Sequence, residues 1–132
     1  MKMSAFPNAF DETVATWPTA AQHRFSEIRT IILRASQEWP MTESLKWGQP
    51  AWRPSKTSQG STLRVSWSDK NPGNIGIFVH CQTTLAATMR DLYPDSFAYE
   101  GNRALHLPLT GEVPEQALDH LARLTFTYHA KR

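Results

Sequence analysis

The chain has 132 residues, of which 40% are hydrophobic and 20% are charged, and its formal net charge at pH 7 is +2. This composition indicates a globular domain and argues against an intrinsically disordered chain. No apolar run approaches the roughly 18 residues that span a bilayer, and the N-terminus lacks the apolar segment of a signal peptide. A single cysteine excludes an internal disulfide and fits a reducing compartment. We therefore expect a cytoplasmic protein with no membrane partner.

We expect one domain over residues 8–130, after a flexible lead-in formed by residues 1–7. Near the start of this domain, Asn8 or Asp11 can cap a short helix. Pro18 ends that helix, because proline cannot continue the helical hydrogen-bond pattern.

A long helix follows. Residues 19–22 have the capping-box pattern, with a hydroxyl first and an amide three residues later, which predicts that the helix begins there. Pro40 stops it. Apolar residues recur along it at spacings of three and four, which predicts one buried stripe. The stripe consists of Phe25, Ile28, Ile32, Ala35 and Trp39.

The segment 43–52 concentrates two tryptophans, a glycine and a proline. Its alternation predicts a strand that Gly48 interrupts, and Pro50 favours a bend or an edge position before a second short strand. We interpret Trp47 and Trp52 as core anchors near the kink, because large aromatic side chains carry much of the burial energy. The alternative is that one indole lines the mouth of a pocket.

The rest of the chain alternates between strands, turns and helices. Polar residues 54–61 predict a mobile loop. A hairpin follows, then a helix capped by Thr83 or Thr84, two further strands, and a last helix that begins near Pro114. The predicted strands cover 62–68, 74–81, 97–100 and 103–109. This order predicts an α+β fold in which a single-layer, mostly antiparallel sheet packs against helices.

These elements also carry a family resemblance. It rests on the Trp17-Pro18 pair, the long helix, and the motif Glu43-x-x-Lys46-Trp47-Gly48-x-Pro50. Together they resemble the YdhG/YdeI-like family of domains of unknown function, the 1801 family, over about residues 8–128. The resemblance implies a small α+β fold with a sheet against helices and no settled activity. One branch of that family looks like an iron chaperone, so metal delivery is an alternative function.

Cys81 invites interpretation as a nucleophile, because His80 precedes it. Adjacent residues of a strand point to opposite faces, however, so the two side chains cannot form a hydrogen-bonded dyad. We expect Cys81 to be a buried thiol beside Ile77 and Val79, with a reactive thiol as the alternative. No phosphate-binding glycine loop, nucleophile elbow or pair of carboxylates is present. We therefore expect no cofactor and no catalytic residue, and favour a binding protein over an enzyme.

No metal site is predicted. The histidines lack the close helical spacing of zinc sites, and one cysteine cannot supply a set of thiolates. The acidic residues, such as Glu27, Glu38 and Glu100, are scattered, whereas a hard cation requires several oxygen ligands together. We therefore do not expect tight iron binding. A site that forms only in three dimensions stays open as an alternative.

One group of residues on the predicted sheet is a candidate binding site. If the strands pack their aliphatic sides under the helices, their other sides carry cationic or potentially cationic groups. These are Lys46, Arg64, His80 and His106, with Ser44, Ser66 and Phe78 among them. Such donors suit a small anionic or carboxylate ligand, with Trp52 near the rim and the loop 54–61 able to close over it. The alternative is an ordinary solvated sheet face.

The sequence also bears on two other kinds of partner. Nucleic acid is not favoured, because Arg24, Arg29 and Arg34 are spread around the long helix and the tryptophans are interpreted as core. A protein-interaction module is a further alternative. Either a monomer or a homodimer is compatible with the sequence.

Overall fold

The computed structural model describes residues 8–130, and side chains from Phe10 onward. The lead-in predicted for residues 1–7 lies outside the described residues. The elements in chain order are α1 (Asn8–Ala15), α2 (Thr19–Ala35), β1 (Met41–Lys46), β2 (Gln49–Pro54), β3 (Leu63–Ser66), β4 (Asn74–Phe78), α3 (Leu85–Leu92), β5 (Ala98–Glu100), β6 (Ala104–Pro108) and α4 (Glu115–Phe126). Over this described range, none of the helices has the length and apolarity to cross a membrane.

The six strands form one sheet in the order β1-β2-β3-β4-β6-β5, and every neighbouring pair is antiparallel. One face of the sheet carries large side chains with no exposed surface: Trp52, Leu63, Val65, Ile75, Ile77 and Leu105. All four helices contribute apolar residues to the same core. The sheet is therefore covered by helices on this face, and the predicted α+β fold is confirmed.

Helix α2 begins at Thr19 as predicted, but not through a capping box. Pro18 occupies the N-cap position, and no side chain caps the helix there. The Gln22 side chain instead donates to the Trp17 carbonyl at 2.8 Å. Because proline has no hydroxyl, the side-chain hydrogen bond that a capping box requires at the N-cap is absent. The capping-box prediction was therefore wrong about this hydrogen bond.

The same helix ends earlier than predicted, at Ala35. The Ser36 hydroxyl donates to the Ile32 carbonyl at 2.8 Å, and its backbone N–H also contacts the carbonyls of the last turn. These bonds satisfy terminal carbonyls that the next turn would otherwise have used. Trp39 lies beyond the helix and packs half-buried against the core.

The segment predicted to be a kinked strand is a tight hairpin. Strands β1 and β2 pair from Met41 with Pro54 to Lys46 with Gln49, which leaves a two-residue turn. Both turn residues have left-handed backbone angles, with φ of 53° at Trp47 and 74° at Gly48. This is the geometry of a two-residue turn of the primed type, whose twist matches that of the strands.

The two tryptophans of this hairpin have opposite environments. Trp52 is 0% exposed and packs against Phe10 and Phe25, with ring centroids 5.5 and 5.9 Å away. Trp47 is 75% exposed. The prediction that both are core anchors was wrong for Trp47, because a turn residue at the tip of a hairpin extends past the covered face of the sheet.

Helix α2 also holds a buried arginine. Arg24 is 3% exposed, and its guanidinium donates to the carbonyls of Pro108 and Gly111 and to the Glu27 carboxylate, at 3.1, 2.7 and 3.0 Å. A buried guanidinium needs such partners to offset its desolvation. Arg24 thus connects α2 to the segment between β6 and α4 and is not a surface cation.

The loop predicted to be a mobile lid is attached to helix α4. Ser61 N–H donates to the Thr125 carbonyl at 2.8 Å, and the Gln59 side chain donates to the Phe126 carbonyl at 3.0 Å. The His129 N–H donates to the Gln59 carbonyl at 2.9 Å. These contacts hold the end of the loop on the helical side of the sheet, which argues against closure over the other face.

Strand β4 ends at Phe78, three residues before the predicted end, and this changes the environment of Cys81. The Val79 N–H donates to the Arg103 carbonyl, and a turn follows in which Thr83 N–H donates to the His80 carbonyl at 3.0 Å. Strand parity no longer applies in that turn. Cys81 is exposed, so the prediction of a buried thiol was wrong.

The exposure of Cys81 gives the first testable prediction. In the native protein its thiol should react with a thiol probe about as fast as it does in denatured protein, because the residue is exposed. The measurement is the ratio of the two rate constants at one pH. A native rate slower by a factor of ten or more would contradict it.

Candidate ligand-binding face

The sheet has a second face, which points away from the helices and which we call the outer face. Residues paired across neighbouring strands share a face, so the register fixes its members. In the described strands they include Ser44, Lys46, Gln49, Ala51, Arg64, Ser66, Gly76, Phe78, Ala104 and His106. Lys46, Arg64 and His106 of the predicted site thus lie on one surface.

The turn of the β1–β2 hairpin brings the indole of Trp47 onto the outer face. The Arg64 guanidinium carbon lies 4.8 Å from the centroid of the Trp47 ring and 5.4 Å from that of Phe78. Lys46 Nζ lies 5.0 Å from the same indole. Arg64 also donates to Gln49 Oε1 at 2.6 Å. Two cations therefore converge on one exposed aromatic ring.

Arg64 stands in an electrostatically unfavourable place. Burial lowers the pKa of its guanidinium, and the nearby positive charge of Arg103 lowers that pKa further. Arg103 lies in the turn before β6. The alternation of the sequence did not predict on which face of the sheet its side chain lies. Its positive charge is close enough to act on the Arg64 guanidinium.

His106 lies further along the outer face and already has an acidic partner. Its Nε2 is 2.8 Å from Glu100 Oε1, and its ring packs edge-on against Phe78 with centroids 6.4 Å apart. Phe78 in turn leans over Gly76, where a Cβ would come within 2.7 Å of the phenyl ring. His106 thus packs against Phe78 and pairs with Glu100.

Two residues of the predicted site lie elsewhere. His80 follows the end of β4, in an exposed turn where its Nδ1 accepts a hydrogen bond from the Gln82 N–H at 3.1 Å. Trp52 is in the core, on the helix-covered face. The assignment of Trp52 to a rim was wrong, since it has the parity of Leu63, to which it pairs across the sheet.

The Trp52 indole has a polar partner that the sequence reasoning missed. Glu43 Oε2 accepts hydrogen bonds from Trp52 Nε1 and Arg29 Nε, both at 2.8 Å, and Glu43 Oε1 accepts one from Arg29 Nη2 at 2.9 Å. The bidentate pair joins β1 to helix α2. We call these three residues the Glu43 cluster; it anchors the hairpin whose tip carries Trp47.

Trp47, Gln49 and Arg103 were not assigned to the site from the sequence. The signal for Trp47 was the glycine after it. A two-residue hairpin loop requires left-handed angles, which glycine supplies at the second position. Reading Trp47-Gly48 as such a loop would have placed the indole at an exposed tip.

Two cavities among the described residues lie on the helical side. One, of about 660 Å³, is a groove between α2 and the segment before α4, and includes Ile31, Arg34 and Glu112. A smaller one, of about 190 Å³, lies between α3 and α4 beside Tyr128. Within residues 8–130, no group of three or more His, Cys, Asp or Glu could hold a metal ion.

Comparison with known proteins relates this fold to a solved structure. A crystal structure of YdhG, a DUF1801 family protein from Bacillus subtilis, superposes with a TM-score of 0.67 at 18% identity, covering 89% of this chain and 87% of that chain. No family model and no curated protein matches the sequence. The likeness concerns the fold, which is the fold that the family resemblance implied. The chain thus has the α+β fold of a DUF1801 family protein.

Proposed function

We propose that the chain is a binding domain that holds an anion on its outer face, through Lys46 and Arg64 with Arg103 beside them. One observation carries the proposal: two cations converge on the exposed ring of Trp47. A folded domain does not need this arrangement for its core, which is complete on the other face of the sheet.

Electrostatics support an anion. Like charges that are held close together disfavour their own charged forms, and burial adds to this. Both effects act on Arg64, where they lower the pKa of the guanidinium. An anion beside Lys46 and Arg64 would offset the repulsion and accept charge-assisted hydrogen bonds.

The backbone at the hairpin tip supports a functional role for its side chain. Trp47 adopts φ of 53°, a conformation that is costly for a bulky residue and that asparagine or glycine fits better. The indole is also mostly exposed, so it adds little burial energy. A tryptophan in this place is therefore better explained by what it binds than by stability.

We also infer that the chain is a member of the DUF1801 family, on the motif from Glu43 to Pro50 together with the shared fold. The iron-chaperone alternative has no observation in its favour in the described part of the chain, where carboxylates, histidines and the cysteine form no cluster.

Anion binding can be tested by thermal unfolding in phosphate, sulfate and acetate at matched ionic strength. The wild type should be stabilised, since a ligand at a hundred times its Kd adds about 2.7 kcal/mol to the stability of the folded state. Arg64→Ala should lose this response. Arg34→Ala is the matched control, because Arg34 is an exposed arginine on α2 whose partner is Glu115.

The control separates binding from the general stabilisation that sulfate and phosphate give to folded proteins. General stabilisation acts equally on both variants. If Arg64→Ala and Arg34→Ala respond alike across the anion series, the outer face is merely solvated and the proposal fails.

A further inference from the structure

We propose that the anion bound by the outer face is single-stranded nucleic acid, with phosphates beside the cations and bases stacked on the aromatic rings of Trp47 and Phe78. This inference rests on the proposed function and names its ligand class.

The aromatic groups of the outer face form a stacking surface. The Trp47 and Phe78 centroids lie about 10 Å apart or less, since the Arg64 guanidinium carbon is 4.8 and 5.4 Å from them. Bases of single strands stack on aromatic rings and on guanidinium planes, and each such contact contributes about 1–3 kcal/mol. The exposed Trp47 ring, with the Arg64 guanidinium and the half-buried Phe78 ring adjoining it, therefore forms one surface on which bases can stack.

The polar groups around these rings fit a phosphate backbone. Lys46 and Arg64 lie at the Trp47 ring, and Arg103 is close enough to act on Arg64. Arg53 lies two residues after Ala51 in β2 and therefore on the same face, opposite Thr42 of β1. The acidic residue of this face, Glu100, is engaged by His106. Positive charge thus runs along the hairpin, which complements a chain of phosphates.

The shape of the surface favours a strand over a small molecule. The cavities of about 660 and 190 Å³ lie on the helical side, whereas the outer face is an open sheet. Open sheets with exposed aromatic residues bind splayed bases, because each base has a flat face. Trp47 is exposed and not buried in the core as its sequence context predicted, so an indole is available for a base to stack on.

An acidic protein segment would use the same cations, but it would not need stacking rings. The two ligand classes therefore differ in what Trp47 contributes. A strand should depend on the indole as well as on the charges, whereas an acidic peptide should depend chiefly on the charges.

The experiment is a titration of the full chain into a fluorescein-labelled dT 12-mer, followed by anisotropy, beside an abasic 12-mer with the same phosphates and a poly-glutamate peptide. Trp47→Asn is the first variant, since asparagine suits the left-handed turn position and keeps the hairpin. Leu92→Ala is its matched control, because Leu92 is a large exposed apolar residue on α3.

We expect the dT 12-mer to bind more tightly than the abasic strand. Trp47→Asn should weaken dT binding by about five- to 150-fold, the effect of losing one stacked base, and should leave abasic binding unchanged. Leu92→Ala should bind like the wild type. Arg64→Ala should weaken both strands and reduce the dependence of log K on log salt by about one.

Three results would overturn the inference. If dT and abasic strands bind equally and Trp47→Asn has no effect, the face binds phosphate without bases, and the proposed function stands alone. If poly-glutamate binds as tightly as dT, the partner is an acidic protein. If neither strand binds and phosphate does not stabilise the wild type, the proposed function fails as well.

Discussion

Replacing Glu43 with alanine should lower the free energy of unfolding by about 3 kcal/mol. The Glu43 carboxylate accepts three hydrogen bonds, from Arg29 twice and from the Trp52 indole. Hydrogen bonds to charged groups contribute about 1.5–3 kcal/mol each, and a buried ion pair that loses one partner costs about 3–5 kcal/mol. Arg29 and Glu43 are 16% and 18% exposed, so water relieves part of this cost. Urea unfolding measures the loss.

Glu115→Ala is the matched control for Glu43→Ala. Glu115 also pairs with one arginine, Arg34, but through a single hydrogen bond, and the two side chains are 56% and 67% exposed. Exposed pairs contribute about 1 kcal/mol or less. Glu43→Gln should fall between the two, because it keeps an oxygen for the Trp52 indole and removes the charge. If Glu43→Ala costs no more than Glu115→Ala, the Glu43 cluster does not anchor the hairpin.

The structure gives roles to residues of the motif on which the family resemblance rests. Glu43 joins the hairpin to helix α2, and Gly48 supplies the left-handed angle at the turn. Pro50 is buried in β2. Lys46 and Trp47 are not used by the core, and they are the residues that reach the outer face. The motif thus combines residues that hold the hairpin with residues that the hairpin presents.

Alternation was enough to predict the sheet and the sides of the residues in β1, β3, β4 and β6. A period of two is strict within a paired strand, so Leu63 and Val65 identify the covered face and Arg64 the other one. The structure places Lys46, Arg64 and His106 on one face for this reason. The α+β class follows from the same pattern, because one apolar face requires a layer of helices.

Alternation fails where pairing ends, and the errors at His80, Cys81 and Trp47 lie there. His80 and Cys81 were assigned by parity, but β4 stops at Phe78 and the chain turns. Trp47 belongs to a turn, so its hydrophobicity did not indicate burial. The Glu43 cluster could not be predicted from local sequence patterns. Arg29 and Glu43 belong to different elements, and only tertiary packing brings them together.

Replacing Gly60 with alanine should lower the free energy of unfolding by about 3 kcal/mol. A Cβ at this position would lie within 2.7 Å of Phe126 Cα and closer still to the carbonyl group of that residue. Backbone atoms cannot rotate aside as a side chain end can, so the loop must move away from α4. Overpacking typically costs about 1–3 kcal/mol, and the displacement also strains the bonds from Ser61 to Thr125 and from Gln59 to Phe126.

Gly73→Ala is the matched control for Gly60→Ala, because a Cβ at Gly73 meets nothing within 4 Å and its φ lies outside the left-handed region. It should be neutral or stabilise by about 0.4–1 kcal/mol, since alanine reduces the entropy of the unfolded chain. The two variants share this unfolded-state effect, so their difference isolates the contact between Gly60 and α4. Equal urea midpoints for Gly60→Ala and Gly73→Ala would show that the loop is free of α4, and would restore it as a candidate lid over the outer face.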